Sequence, residues 1–317
     1  MRVLVTGCAG FIGSNLCRVA LERGWSVTGV DDLSNGHMEF VPDLVDHYTS
    51  DFASDEIIKL INTAKFDAVI HLAAVPRVSY SVEYPLHTND VNVSRTLKLI
   101  EACRGNVKRV VFASSSSVYG GADELPTPET APRNPKSPYA LQKAVIEDYL
   151  RLYGELYGLD SACMRFFNVF GPNQLGDSPY ATAVSAWLTA IKKGIPMRCD
   201  GDGSQSRDMC YVDNVADACL RAAAYEGKLR AECFNVACGD RTSNLEILEK
   251  LQEKYPFSAF VNAPWRAGDV MHTQADVTKA KVLLGYEPIV RFWEGLDRTV
   301  DWYEKNWAQI SKMKLNT

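Results

Sequence analysis

The sequence has little of what marks membrane proteins and nucleic-acid-binding proteins. Over 317 residues, no uninterrupted apolar run approaches the ~20 residues that a bilayer-spanning helix needs. The 34 Lys and Arg are outnumbered by 39 Asp and Glu, and the net charge of −5 argues against nucleic acid as the main partner. Arg2–Thr6 predicts a strand at the start of the chain instead of a signal peptide. We therefore expect a soluble globular protein whose partners include neither nucleic acid nor a membrane.

Closely paired cysteines are also lacking. The nine Cys are odd in number, and no two of them form a Cys-x-x-Cys pair. A disulfide framework or a zinc site would need tighter, paired spacing. We therefore expect the cysteines to be small buried side chains in a protein of the reducing cytoplasm, and we expect no metal.

What the sequence does have is a regular alternation of strand and helix signals. Apolar strands alternate with amphipathic helices in the order strand 2–6, helix 14–23, strand 25–30, helix 57–63, strand 68–72, helix 93–103 and strand 107–113. Strands separated by helices of this kind favour parallel β-α-β units. The pattern predicts an α/β protein with a doubly wound parallel sheet.

A glycine-rich turn follows the first strand. Gly7, Gly10 and Gly13 have the spacing G-x-x-G-x-x-G where a strand passes into a helix. Without Cβ atoms there, the backbone can approach a pyrophosphate, and the helix start points free N–H groups at it. Asp31 ends the second strand, 18 residues after Gly13, where an acidic side chain binds ribose hydroxyls and repels a 2′-phosphate. The pattern predicts NAD rather than NADP, with Asp32 as the competing acid.

Side chains suited to proton transfer follow later in the chain. Tyr139 and Lys143 are four residues apart at the start of a predicted helix over 139–157, so they share a face. Residues 114–117 are all serine and end a strand at the edge where open α/β sheets bind ligands. A tyrosine works as a base only if its pKa falls from ~10 toward neutrality. A nearby ammonium and a serine hydroxyl favour that change, so these residues predict a proton-transfer site.

Together these motifs resemble the extended short-chain dehydrogenase/reductase family, among its NAD-dependent sugar-nucleotide epimerases and dehydratases. The matching segments keep the family's order through nearly the whole chain, at 6–13, 31–32, 71–74, 92, 115–120, 139–143, 165–172, 201–208 and 266–270. The resemblance implies a Rossmann-type doubly wound sheet with a smaller, interleaved C-terminal substrate lobe. We expect an NAD-binding domain at 1–168, with returning segments near 207–238, and the substrate lobe at 169–317.

The resemblance also implies roles for individual residues. Tyr139 takes the proton of the sugar 4-hydroxyl while hydride moves from C4 to NAD, Ser115 hydrogen-bonds the reacting oxygen, and Lys143 binds the nicotinamide ribose and keeps the pKa of Tyr139 low. The implied cofactor-binding residues are Gly7, Gly10, Phe11, Ile12, Gly13, Asp31, Asp32, Asn35, Gly36, Asp51, Phe52, Leu72, Ala73, Ala74, Asn92, Tyr139, Lys143 and Phe166. The implied substrate-binding residues are Ser79, Ser115, Ser116, Ser117, Asn168, Arg207, Arg266, Asp269 and Thr273.

The tip of the strand before Tyr139 indicates the reaction. Within the family, 4,6-dehydratases carry Thr-Asp-Glu there and nucleotide-sugar decarboxylases carry a Glu, whereas this chain has Ser115, Ser116 and Ser117. Three hydroxyls cannot deprotonate C5 or protonate a leaving hydroxide. The resemblance therefore implies an isomerase that epimerises a UDP-hexose at C4. The rival functions are a nucleotide-sugar dehydratase or decarboxylase and, outside enzymes, an NAD-binding regulator on the same fold.

Thr273 indicates the sugar, because related 4-epimerases carry either a bulky aromatic or a small residue at this position. A small residue leaves room for a 2-N-acetyl group, and the stretch 178–206 also resembles epimerases of N-acetylated UDP-sugars. We expect UDP-N-acetylglucosamine and UDP-N-acetylgalactosamine as substrates, UDP-glucose and UDP-galactose as further candidates, and UDP-glucuronate as the alternative. Family members pair through the helices corresponding to 93–103 and 139–158, which implies a homodimer. Arg77 lies near the predicted site without an assigned role.

Overall fold

The centre of the molecule is a sheet of short apolar strands. In the computed structural model, which describes residues 1–176, 182–265 and 270–313, the strands are β1 (Arg2–Thr6), β2 (Ser26–Asp31), β3 (Asp46–Thr49), β4 (Ala68–His71), β5 (Arg109–Ser115), β6 (Asp160–Phe166), β7 (Val169–Phe170), β8 (Met197–Asp200), β9 (Ser206–Arg207), β10 (Cys210–Tyr211), β11 (Glu232–Val236), β12 (Thr242–Ser243) and β13 (Phe260–Ala263). Seven of them pair in parallel in the order β11-β6-β5-β4-β1-β2-β3. The predicted doubly wound parallel sheet is confirmed.

Helices cover both faces of this sheet. They are α1 (Phe11–Glu22), α2 (Asp55–Ala64), α3 (Val78–Glu83), α4 (Pro85–Asn89), α5 (Thr96–Cys103), α6 (Pro138–Tyr157), α7 (Ala183–Lys193), α8 (Val212–Ala224), α9 (Asn244–Lys254), α10 (Thr278–Leu284) and α11 (Phe292–Ile310), with a π-helical turn at Asp90–Arg95 and 3₁₀ turns at Met38–Phe40 and Ser116–Tyr119. Helices α1, α8 and α10 pack on one face, and α2, α5 and α6 pack on the other. A separate core joins α7, α9 and α11. Within the described ranges, no helix is both long and apolar enough to cross a membrane.

The helix that carries Tyr139 is bounded by the residues that predicted it. The Ser137 hydroxyl accepts a hydrogen bond from the Ala140 N–H at 3.2 Å, and Pro138 takes the first helical position. Gly158 ends α6 in the left-handed region, with a φ of 73°. The side-chain cap, the favourable first-turn proline and the terminal glycine therefore account for both ends of the helix.

Two other predicted helices begin earlier than expected. Helix α1 starts at Phe11 rather than at residue 14, because Gly10 already takes the N-cap position. The predicted helix 93–103 is the last part of a longer helical run over 85–103, which contains the π-helical turn. A π turn is set by tertiary contacts and leaves no clear periodic signal, so the sequence pattern found only the α-helical end.

The chain returns to the central sheet in its second half. β11 pairs with β6, with Cys233 opposite Cys163, and α8 packs against α1. Smaller sheets pair β10 with β7, β12 with β9, and β13 with β8. The central sheet thus takes strands from both halves of the chain, and the division at residue 168 stays a prediction.

The cysteines are free thiols, and all except the half-buried Cys233 are buried. Cys8, in the glycine turn, faces the core, since a Cβ on Gly29 would lie 2.7 Å from its Sγ. Burial raises the pKa of the Cys8 thiol to about 12. The prediction that the cysteines serve as small buried side chains is confirmed for eight of the nine.

Candidate active site

The candidate site lies where the sheet order reverses. β2 and β3 extend to one side of β1, and β4, β5 and β6 extend to the other. In doubly wound sheets, ligands bind at this point, beyond the carboxyl ends of the strands. The glycine turn follows β1, residues 72–74 follow β4, and Ser115 ends β5. The topology therefore brings the predicted cofactor and catalytic residues to one edge of the sheet.

Glycine is required in the turn after β1 because neighbouring backbone segments leave no room for side chains. Gly7 has a φ of 75°, and a Cβ on it would lie 2.9 Å from the backbone nitrogen of Ala73. A Cβ on Gly13 would lie 1.9 Å from the Gly7 carbonyl oxygen. Gly10 caps α1 without a side-chain hydrogen bond, which leaves the first N–H groups of the helix to a ligand. This cradle fits the pyrophosphate of a dinucleotide.

The structure separates the two candidate acids after β2. The buried Asp31 carboxylate accepts hydrogen bonds from the Ala9 N–H at 3.0 Å and the Leu33 N–H at 2.8 Å, and burial raises its pKa. Asp32 is exposed, and its carboxylate accepts a hydrogen bond from the Ser34 N–H at 2.9 Å. A Cβ on Gly36 would lie 2.6 Å from Asp31 Oδ1. Asp31 therefore faces the glycine turn, as an acid that binds the ribose of NAD must.

The other predicted cofactor residues differ in burial, and some of them contact other side chains of the protein. The Asp51 carboxylate pairs with Arg95. The Phe52 ring is buried with its centre 4.9 Å from the centre of the His71 ring. Phe166 is half-buried at the end of β6, and Asn35 is exposed beside Gly36.

Asn92, on the π-helical turn, holds the loop after β4. Its amide accepts from the Val75 N–H at 2.8 Å and donates to the Val75 carbonyl at 3.1 Å and to Gln142 Oε1 at 2.8 Å. These three contacts use both polar atoms of a buried side chain. The structure therefore gives Asn92 a positioning role for the segment that carries Leu72, Ala73 and Ala74.

A buried hydroxyl-imidazole-hydroxyl chain, which the sequence reasoning missed, joins the same loop to α5. Thr6 Oγ1 accepts from the Leu72 and Ala73 N–H groups at 3.2 and 3.1 Å, so its own proton points to His71 Nδ1 at 2.7 Å. His71 Nε2 then donates to Thr96 Oγ1 at 3.0 Å. Burial and the Lys143 charge lower the pKa of His71 to about 3, so the imidazole is neutral. The motif at 71–74 pointed to His71, but its partners lie too far away in sequence to be predicted.

Ser115, Tyr139 and Lys143 come together as predicted. The Tyr139 N–H donates to Ser81 Oγ at 3.1 Å, and Ser115 lies near enough to the Tyr139 hydroxyl to lower its pKa. Ser115 Oγ accepts from the Ser117 N–H at 3.2 Å and from the Ser117 hydroxyl at 2.9 Å. Because Ser115 Oγ already accepts two hydrogen bonds, its own proton points away from Ser117.

Lys143 lies buried beneath Tyr139. Its Nζ donates to the Ala113 carbonyl at 2.7 Å and lies 4.7 Å from the centre of the Phe112 ring and 5.7 Å from that of Tyr139. Burial lowers the pKa of Lys143 to about 7, while Glu147 raises it. Burial also raises the pKa of Tyr139 to about 12, although the Ser115 hydrogen bond lowers it. The predicted low pKa of Tyr139 is therefore absent from the chain alone, because desolvation outweighs the Ser115 contact.

The predicted substrate residues lie in several parts of the structure. Ser116 and Ser117 are half-buried beside Ser115, whereas Ser79 is exposed on α3 and the buried position there belongs to Ser81. Arg207 and Thr273 are brought together, since the Thr273 N–H bonds the Ser206 carbonyl at 3.1 Å and Arg207 Nη1 bonds the Met271 carbonyl at 3.1 Å. Asn168 is exposed at the end of β6. Arg266, Asp269 and residues 178–181 of the stretch 178–206 lie outside the described residues.

Asp208 lies in the matching segment 201–208, but the sequence reasoning gave it no role. Its fully buried carboxylate accepts from the N–H groups of Cys238 at 2.9 Å and of Gly239 and Ala275 at 3.0 Å. Burial raises its pKa to about 7, and these N–H donors lower it. Its own N–H donates to Thr273 Oγ1 at 3.3 Å. Asp208 therefore ties three separate segments together directly beside Arg207.

A model of the NAD dependent epimerase/dehydratase family matches residues 3–237. The chain belongs to this family. Its members share an NAD cofactor, which fits the glycine cradle and the buried Asp31 described above. The resemblance, the fold, the NAD cofactor and the isomerase class predicted from the sequence are confirmed.

Relatives of this epimerase/dehydratase family member match it over nearly its full length. A UDP-glucose 4-epimerase of Mycolicibacterium smegmatis is 38% identical, with 96% of this chain and 98% of the relative covered. A solved UDP-N-acetylglucosamine 4-epimerase from Methanobrevibacter ruminantium, in complex with UDP-N-acetylmuramic acid, is 35% identical with a TM-score of 0.90, covering 96% and 98% of the two chains. A UDP-glucuronic acid 4-epimerase from Bacillus cereus, in complex with UDP-glucuronic acid and NAD, is 28% identical with a TM-score of 0.87, covering 96% and 99%.

Proposed function

We propose that this NAD-dependent isomerase epimerises a UDP-hexose at C4, with the UDP-N-acetylglucosamine/UDP-N-acetylgalactosamine pair as its preferred substrates. The carrying observation is the tip of β5, where Ser115, Ser116 and Ser117 stand in place of an acid, next to the Ala113 carbonyl that holds Lys143. A dehydratase or decarboxylase would need a carboxyl group there for its second proton transfer. Oxidation and reduction at a single carbon need only one proton donor and acceptor, which Tyr139 supplies.

The side chains divide the proton chemistry between them. Ser115 donates its one hydroxyl proton toward the reacting 4-oxygen, and Tyr139 removes and later returns the proton of that oxygen. Lys143 stands behind Tyr139 and favours its ionised form through its charge. When bound, NAD supplies the hydride acceptor and donor and, in its oxidised form, a positive charge. The bound sugar turns within the pocket, so that Tyr139 serves both faces of the same carbon.

The second lobe supports a nucleoside diphosphate as the part of the substrate that stays attached to the sugar and anchors it. Arg207 is half-buried, and its guanidinium is fixed by the carbonyls of Ser206 and Met271 at 3.0 and 3.1 Å. A guanidinium held in this way binds phosphate oxygens without losing further side-chain freedom. We assign the diphosphate to Arg207 and Asn168, together with Arg266, and the uridine ribose to Asp269. Thr273 beside Arg207 is the small residue that admits the 2-N-acetyl group.

A panel of UDP-sugars, incubated with the purified protein without added NAD and followed by NMR, tests this proposal. We expect interconversion of the N-acetylated pair with retained cofactor, and slower interconversion of UDP-glucose and UDP-galactose. A 4-keto-6-deoxy product or release of carbon dioxide would contradict epimerisation. Tight NAD binding without turnover of any sugar would favour the regulator instead.

UDP-glucuronate is the second candidate substrate, because an arginine is bonded through its backbone to a residue that contacts the catalytic helix. The Arg77 carbonyl accepts from the Ser81 N–H at 2.9 Å, and Ser81 in turn holds the N–H of Tyr139. Arg77 is thus one helical turn from a direct contact of the catalytic tyrosine. Faster turnover of UDP-glucuronate than of the N-acetylated pair in the same panel would select this substrate.

We also propose a homodimer, on the evidence of exposed apolar side chains on neighbouring helices. Leu141, Leu152 and Leu156 line one stripe of α6, and Val82 and Leu86 are exposed on α3 and α4, which pack beside it. Apolar stripes of this kind are usual where a second chain covers them. Sedimentation of the purified protein should give twice the chain mass, and a monomer would contradict the proposal.

A further inference from the structure

Glu147 of α6 and Arg165 of β6 form a buried ion pair that takes no part in the proton transfers described above. Arg165 Nε donates to Glu147 Oε1 at 2.9 Å, and its Nη2 donates to Oε2 at 2.8 Å. The two side chains are 5% and 3% exposed. The Ser114 hydroxyl also donates to Glu147 Oε1, at 2.6 Å. Such a bidentate pair fixes the position of a carboxylate more tightly than a single contact does.

This carboxylate follows Lys143 by one helical turn. The two side chains share a face of α6, and adjacent residues of β5 hold both of them: the Ala113 carbonyl accepts from Lys143 and the Ser114 hydroxyl donates to Glu147. The other charged or titratable groups around them lie on several elements. They are Tyr139 and Asp148 on α6, His71 on β4, Arg165 and Cys163 on β6, Cys233 on β11, Tyr119 in the 3₁₀ turn after β5 and Arg133 on the loop before α6. His71 is neutral, so it adds no charge next to the ammonium.

We propose that Glu147, clamped by Arg165 and Ser114, is a positioning residue that keeps Lys143 protonated and fixed beneath Tyr139. The proposal builds on the role of Lys143 in the proposed function. The Lys143 ammonium is 4% exposed and has the Ala113 carbonyl as its hydrogen-bond acceptor. A buried ammonium is costly without an opposite charge, and Glu147 supplies that charge.

The charge of Lys143 depends on this carboxylate because desolvation brings the pKa of the ammonium close to working pH. Burial lowers its pKa to about 7, and Glu147 is the charged group that raises it. Without that attraction, Lys143 loses its proton at a lower pH. A neutral Lys143 no longer favours the ionised form of Tyr139, so turnover falls as the pH rises through the pKa of Lys143.

The direct test is an NMR titration of the holoenzyme labelled with carbon-13 at the lysine Cε, with the Lys143 signal identified by its loss in Lys143→Met. Glu147→Gln should move the midpoint of Lys143 down by about one pH unit, and the high-pH limb of kcat should move with it while KM stays unchanged. Glu147→Asp keeps the charge, so its Lys143 midpoint should lie close to the wild-type value. Glu155→Gln is the matched control, since Glu155 forms an exposed pair with Arg151 on the same helix.

A second variant covers the case in which Glu147→Gln leaves Arg165 unpaired and the protein does not fold. Glu147→Gln with Arg165→Met removes both buried charges, and we expect the Lys143 midpoint to move down here too. A folded variant of either kind that keeps the wild-type midpoint would overturn the proposal and leave the pair a purely structural one. The titration needs no substrate, so a failure of the proposed function would appear only in the sugar panel.

Discussion

Ser117 determines which way the Ser115 hydroxyl points. Ser117→Ala removes the 2.9 Å donor to Ser115 Oγ but keeps the backbone N–H contact. One hydrogen bond contributes about 1 kcal/mol, so we expect kcat to fall about fivefold with KM for the sugar nearly unchanged. Steady-state kinetics measure this, and Ser117→Thr, which keeps the hydroxyl, should recover most of the loss. A rise in KM alone would instead make Ser117 a substrate contact.

Asp31 and Asp32 can be distinguished by how much each contributes to the affinity for NAD. Asp31→Asn neutralises the buried carboxylate that faces the glycine turn, whereas Asp32→Asn alters an exposed side chain. Hydrogen bonds to charged groups contribute about 1.5–3 kcal/mol, so we expect Asp31→Asn to weaken NAD binding at least about tenfold. Dialysis followed by chromatography of the released cofactor measures this. Loss of NAD from Asp32→Asn alone would reverse the assignment.

Thr273 tests the choice of sugar. Thr273→Tyr fills the space beside Arg207 and removes the acceptor of the Asp208 N–H. We expect turnover of the N-acetylated pair to be abolished first, because a bulky ring competes with the 2-N-acetyl group for the same volume. The sugar panel measures this, with Thr273→Ser as the variant that keeps the hydroxyl. Equal losses on the acetylated and plain pairs would contradict the specificity role.

At this scale the sequence predicted which side chains lie together, while their roles in catalysis stay predictions. The spacing of Tyr139 and Lys143, and the serines before them, predicted a cluster that the structure places at the end of β5. The sequence also predicted a low pKa for Tyr139, which is wrong for the chain alone, because burial by distant elements raises it. Asp208 and Thr6 lie in the matching segments but were given no role, since their partners are far away in sequence.

Among the elements, the helical run over 85–103 contains an irregular turn that positions a residue of the candidate site. Its π-helical turn carries Asn92, which holds both backbone groups of Val75. Asn92→Ala leaves these groups and Gln142 without their partner, so we expect the free energy of unfolding to fall by about 1–3 kcal/mol and NAD to be released more readily.

Denaturant unfolding and cofactor retention measure the effect of Asn92→Ala. Asn62→Ala, at an exposed position of α2, is the control and should stay within about 0.5 kcal/mol of the wild type. An Asn92 variant with wild-type stability and full NAD retention would contradict the positioning role.

Elements with strong end signals were the predictable ones. Helix α6 has a capping serine, a first-turn proline and a terminal glycine, and its predicted bounds hold. β9, β10 and β12 have two residues each, which is too short for any alternation to be detected. They depend on pairing with segments from other parts of the chain.

In the whole molecule, Asp208 ties together segments that are distant in sequence. Asp208→Asn replaces an acceptor of three N–H groups by an amide that can no longer accept them all. We expect the free energy of unfolding to fall by about 1–3 kcal/mol and KM for the UDP-sugar to rise, with NAD retained because the glycine turn is untouched.

Thermal unfolding and kinetics of Asp208→Asn measure these changes. Asp202→Asn, in the exposed turn before β9, is the control and should behave as the wild type. Loss of NAD together with substrate affinity would show that Asp208 supports the whole fold rather than the segments around Arg207 and Thr273.

The reactivity of the eight buried thiols reports how often the surrounding structure opens. They lie in different cores, with Cys103 at the end of α5 and Cys199 on β8. A thiol-specific reagent reaches such groups only when the surrounding structure opens. Labelling rates at these two positions would therefore report the local opening of the two cores separately in one sample.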